Sequence, residues 1–198
     1  MPAKVSFAQC PYEYGVPINP SDTQHRLVRN ETDLGKVFYD RRPDGSEVLV
    51  KILKNAEAST ALLANQVVKP STSTGRYNKD ALLSTDNANA VLGVVEDGYK
   101  GAAGVPAGYW FRCVVDADAH PVNLTTANGA QATVAVGGVV VADAVDGCCR
   151  AQITGTDTDA SIRPNIENRI GRSNVATTNG AATQAGMTIS VKIKLLDY

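Results

Sequence analysis

Apolar and polar positions alternate most regularly near the C-terminus. Met187, Ile189, Val191, Ile193 and Leu195 interleave with Thr188, Ser190, Lys192 and Lys194. That period of two predicts a strand with one face on a core and the other in water. Residues 46–54, SEVLVKILK, predict a second strand through Val48, Leu49, Val50, Ile52 and Leu53. Residues 91–115, VLGVVEDGYKGAAGVPAGYWFRCVV, predict a strand, a glycine-rich reversal and another strand dense in aromatic and β-branched residues. ALLANQVV at 61–68 fits either a helical turn or a strand, and ATVAVGGVVVA at 132–142 a strand pair or a bulged strand broken at Gly137-Gly138.

This grammar occurs twice. Gly93 has a counterpart in Gly171 and Ala107-Gly108 in Ala185-Gly186, each about 78 residues later. Upstream, Gln66-Val67-Val68 matches Gly138-Val139-Val140, Gly75 matches Gly147, and the run from Ala81 matches the run from Ala151. The pattern predicts a mainly β chain, a β-barrel or β-sandwich built from two pseudo-repeated units at about 61–116 and 132–196.

Residues 1–45 read differently from the core at 46–198. They hold five of the nine prolines, which suits neither helix nor inner strand. They also carry Phe7, Tyr12, Tyr14, Phe38 and Tyr39, more aromatics than a disordered tail holds. An extended N-terminal arm satisfies both facts. It lies either on another molecule's surface or back on its own core.

Charge narrows the function. Charged residues make up 20% of the chain and the net charge is −1, which gives no bulk attraction to nucleic acid or an anionic membrane. No apolar stretch is long enough to span a bilayer as a helix, and the N-terminal residues lack the apolar core of a signal peptide, so synthesis in a cytoplasm is expected. Cys10, Cys113, Cys148 and Cys149 have no Cys-x-x-Cys spacing and are expected to be reduced and either structural or incidental. No nucleophile elbow, phosphate-cradling loop or zinc-protease motif occurs, so neither catalysis nor a cofactor is expected. Asp116, Asp118 and His120 would share a strand face and suit a metal, but a solvated strand end before a turn at Pro121 is the expected arrangement. The loop at 155–168 begins like a calcium loop, yet Ile162 stands where the glycine belongs.

The order of these elements resembles that of bacteriophage capsid decoration, or cement, proteins. The matching residues are Gln66–Val68, Ala81–Leu83, Ala90–Glu96 and Val105–Gly108, with Gly138–Ala142 and Ile170–Ile193 in the second unit. The resemblance implies a non-enzymatic virion protein on the capsid surface, bound to the major capsid protein and assembled with itself as a homotrimer. Phe7, Tyr12, Tyr14, Phe38, Tyr39, Arg76 and Tyr77, with the loops at 70–80 and 155–168, are then expected at shell or inter-subunit contacts. Two other classes fit the missing chemistry: a tail-tube, head–tail joining or fibre-base protein, and a carbohydrate-binding β-sandwich using Tyr109, Trp110, Asp116 and Asp118.

Overall fold

The computed structural model describes residues 7–21, 31–72, 76, 78–85, 90–99, 103–125, 133–143, 145–152, 169–177 and 188–195. Tyr77 and the loop at 155–168 lie outside the described residues. Within them the chain is mainly β, with no α-helix and a short 3-10 turn at Glu31–Asp33. The strands are β1 (Val37–Arg41), β2 (Glu47–Asn55), β3 (Val67–Pro70), β4 (Asp80–Leu83), β5 (Gly93–Val95), β6 (Trp110–Asn123), β7 (Val139–Ala142), β8 (Cys149–Ala151), β9 (Arg169–Ser173) and β10 (Thr188–Lys194). They join in one sheet of order β1-β2-β4-β3-β5-β6-β10-β9-β7-β8.

The pairings close on themselves. β2 runs antiparallel to β6 as well as parallel to β4, so β2, β4, β3, β5 and the first half of β6 form a ring. Leu53, Val68, Leu83, Val95, Phe111 and Cys113 come from these strands and pack in one cluster. A second circuit runs from the far half of β6 through β10, β9, β7 and β8. It returns to β6 where Leu124 bridges Cys149 and the Thr125 N–H donates to the Cys149 carbonyl at 2.8 Å.

The two circuits match in register. Val68 faces Leu83 and Gly93; Val140 faces Ala151 and Gly171. Leu62 bridges Val105, and Val134 bridges Thr177. Lys51–Lys54 pair with Trp110–Cys113 as His120–Asn123 pair with Thr188–Val191. Asn65 (φ 68°) and Gly137 (φ 74°) occupy the same left-handed turn position.

β10 shows the expected alternation, with Ile189, Val191 and Ile193 buried and Thr188, Lys192 and Lys194 exposed. β2 instead buries both faces toward its end, because Ile52 and Leu53 serve different apolar clusters. β6 departs from expectation. It does not end in a proline turn but continues through Pro121, which lies opposite Ser190. The physical reason is that β10 supplies main-chain pairing as far as Asn123 while Val122 and Leu124 continue the buried pattern.

Residues 7–21 pack back onto the same molecule. Gln9 bridges Tyr39 and Ile18 bridges Trp110. Val37–Arg41, expected in the arm, is a strand paired with β2 at five positions, since its alternate side chain Phe38 enters the core.

Gly93 and Gly171 are held by close backbone approach. A Cβ on Gly171 would overlap the Lys192 carbonyl oxygen, and one on Gly93 would overlap the Cys113 sulfur and lie 2.7 Å from the Val114 carbonyl oxygen. Gly171→Ala must therefore separate β9 from β10, costing about 1–3 kcal/mol by the usual scale of overpacking. Denaturant unfolding checks this; an unchanged midpoint would contradict the close approach.

Candidate functional site

Charged residues from β6 and from the ends of β1 and β5 meet inside the molecule. Arg112 sits in β6 between Phe111 and Cys113, which point into the ring, so its own side chain leaves on the opposite face, alongside Trp110 and Val114. There its guanidinium meets Glu96, which follows β5. Nε lies 2.9 Å from Oε2, and a terminal nitrogen lies 3.0 Å from Oε1. The side chains are 1% and 0% exposed, so the pair is dry. Arg112 also donates to Asp40 of β1 and, at 2.8 Å, to the Tyr12 carbonyl oxygen. Its guanidinium carbon stands 5.7 Å from the centre of the Tyr14 ring.

Arg42 forms the second half of this cluster. Its Nε is 3.7 Å from Glu96 Oε1, and a terminal nitrogen is 3.7 Å from Asp97 Oδ1. The same nitrogen reaches His120 Nδ1 at 2.7 Å. A guanidinium only donates, so Nδ1 accepts, and the ring proton sits on Nε2, 3.4 Å from the Val95 carbonyl oxygen. His120 is neutral here. Burial, reinforced by Arg42, lowers its pKa to about 3. Burial pushes the Glu96 carboxyl up to about 7, against the pull of Arg112 and Arg42.

The cluster is a clasp. Through Arg112 it ties Tyr12 and Asp40 to β6, and through Asp97 it accepts the Tyr14 hydroxyl at 2.8 Å. Tyr12 in turn donates to Asp33 at 3.1 Å and meets Phe38 edge-on, with ring centres 6.5 Å apart. The N-terminal segment is thus fixed on the core by charge-assisted hydrogen bonds and aromatic packing together.

This arrangement sorts the contact residues expected from sequence. Tyr12 and Phe38 point inward, at 3% and 7% exposure, and hold the chain's own segments together. Phe7, Tyr14 and Tyr39 are half-buried, and Arg76 is exposed with its Nε 3.7 Å from Asp80. Asp116, Asp118 and His120 do not converge: Asp118 pairs with Lys192 at 2.7 Å while His120 turns to Arg42. Among the described residues no group of three metal-ligating side chains comes together. All four cysteines are free, and burial raises each thiol pKa, which opposes the thiolate a nucleophile needs. Sequence reasoning missed Arg112, Glu96 and Arg42. The available signal was a lone arginine inside the apolar run Tyr109–Val115.

The clasp makes stability depend on charge pairing and on pH. Arg112→Met leaves Glu96 buried beside one guanidinium fewer and costs about 3–5 kcal/mol, part of which the double variant with Glu96→Leu restores. Chemical unfolding of the three proteins checks this; a double variant no more stable than the single one contradicts it. His120 has a lowered folded pKa, so its stabilisation is present above its ordinary value of 6.5 and is lost as pH falls toward 3. Glu96 has a raised one, so its contribution is present below 4.5 and is lost as pH rises toward 7. The two oppose each other across their overlap. Melting temperatures of Glu96→Gln therefore fall more steeply than wild type on acidification between pH 6.5 and 4.5, and those of His120→Asn fall less; parallel curves would refute the assignment.

No helix among the described residues is long and apolar enough to cross a membrane, which says nothing of strands. No protein-family model matches the chain, and no curated protein matches it significantly.

Proposed function

We propose that the chain is a non-enzymatic structural protein of a bacteriophage virion, binding the outside of the capsid shell as a decoration protein. In this reading it consists of two duplicated β-barrel units that share β6, with the N-terminal segment clasped across the first. The observation that carries the reading is how the charge is used. Arg112, Glu96, Arg42 and His120, the side chains best suited to chemistry, are spent on one another inside the fold. What the described surface offers is repeated strands and tight turns, which suits a part that binds many identical sites through modest contacts. The partners are the major capsid protein and further copies of the chain, a trimer being the implied assembly.

A tail-tube or head–tail joining role is the second reading. It is favoured by the matched registers of the two circuits, since stacked units extend naturally into rings and tubes. Co-sedimentation with capsid shells lacking the protein separates the two. Saturable binding that raises the shells' melting temperature supports decoration. Rings without affinity for shells would overturn it in favour of the tail.

A further inference from the structure

Residues 7–18 are fastened to the core more than they are buried in it. Within this stretch Tyr12 alone is buried; Cys10, Tyr14 and Ile18 are half-buried, and Gln9, Pro11, Glu13 and Val16 are exposed. Pro11 and Pro17 have no N–H to pair. Main-chain bonds hold the stretch at two places. Tyr39 N–H donates to the Ala8 carbonyl oxygen at 2.8 Å, and Cys10 N–H donates to that of Tyr39 at 2.7 Å. Further on, Ile18 and Trp110 exchange a pair of bonds, each of 2.9 Å. Between them Gly15 rests directly on the turn after β5, where a Cβ on it would come 2.6 Å from the Gly98 carbonyl oxygen. A segment with so little buried apolar surface opens more easily than a core in which β2 and β6 pair from Val48 to Lys54.

The lock on this segment passes through one nitrogen atom. The Arg42 terminal nitrogen that meets His120 Nδ1 at 2.7 Å also stands 3.7 Å from Asp97 Oδ1, the oxygen that accepts the Tyr14 hydroxyl at 2.8 Å. Its contact with His120 exists only while Nδ1 keeps a lone pair. A proton there sets two cationic donors face to face, with both side chains buried. Arg42 must then turn away, and Asp97 loses a partner. Arg42 also directly follows β1, whose Tyr39 carries the bonds to Ala8 and Cys10, so both ends of the segment are affected.

The groups that govern this step come from several elements. Facing His120 are Arg42 and Asp97, while β10 places the apolar Val191 opposite it. Beyond Arg42 stand Glu96, Arg112 of β6 and Asp40 of β1, with Cys10 and Tyr14 supplied by the segment itself.

We propose that residues 7–18 are a strap that opens as a unit, with the core intact, when His120 Nδ1 takes up a proton, and that Glu96 holds this opening in check. Opening bares the Trp110 N–H and carbonyl oxygen on one edge of β6. His120 has a pKa lowered to about 3 in the closed form, so protons favour opening below its ordinary 6.5. Glu96 has one raised to about 7, so protons favour closure between 7 and its ordinary 4.5. The two effects offset each other over most of that range, and His120 prevails below 4.5. The device requires neither a shell nor a tail.

Backbone hydrogen exchange on the full chain, read as protection factors over falling pH, tests it. The Cys10, Ile18, Tyr39 and Trp110 amides, all donors in strap bonds, are less protected than that of Val95, which donates to Gln66 within the first circuit. In wild type their protection changes little down to pH 4.5 and then falls about tenfold. In Glu96→Gln it falls from pH 6.5 onward, by about tenfold per unit. In His120→Asn, whose amide oxygen accepts from Arg42 without titrating, it rises on acidification instead. Strap amides as protected as Val95 would show that the segment opens only with the core and would overturn the proposal. One pH dependence shared by all three proteins would overturn it equally.

Discussion

Main-chain pairing along both edges of β6 is the constraint on which the molecule rests. β2 lies along one edge of its first half and β5 along the other, while β10 takes over the second edge toward Asn123. One strand thereby belongs to both circuits. Its side chains meet demands on both faces, which is why Trp110–Val115 is buried without interruption and reads as a continuous apolar run with one arginine in it.

That arginine shows how a buried charge acts here as a joint. Taking Arg112 and Glu96 out of water is costly, and the cost is met only if the guanidinium's remaining donors find acceptors. Asp40 and the Tyr12 carbonyl oxygen supply them, and both belong to segments that must come back over the core to do so. Specific placement of the N-terminal segment is thus coupled to satisfying a charge in β6. Apolar packing of Tyr12 and Phe38 alone would hold the segment less uniquely.

The amount of this visible in the sequence depends on whether the signal is local. The alternation of β10, the apolar run of β2 and the doubled glycine at Gly93 and Gly171 are local consequences of a pleated backbone, and they are legible. The continuation of β6 past Asp116 is not, because its polar and proline residues are carried by pairing with β10 far along the chain. The inward turn of Glu96 and Arg42 is hidden for the same reason: beside Asp97-Gly98 and Pro43 they look like turn residues, and only the assembled fold brings them to Arg112 and His120. The matched registers of the two circuits are visible through their glycines but slightly misaligned. Sequence matches Ala81 to Ala151 and Gly75 to Gly147, whereas pairing matches Leu83 to Ala151, and the Ser71–Asp80 and Asp143–Cys148 bonds set Lys79 against Gly147.

Sharing β6 also dictates an order of events during synthesis. All strands of the first circuit precede Asp116, so that circuit can close as soon as the first half of β6 leaves the ribosome. The second half of β6 then waits for its partner, since β10 comes last among the described strands. Until it arrives, His120–Asn123 presents an unsatisfied edge beside an already folded body, which is the setting in which neighbouring nascent chains on one message exchange strands.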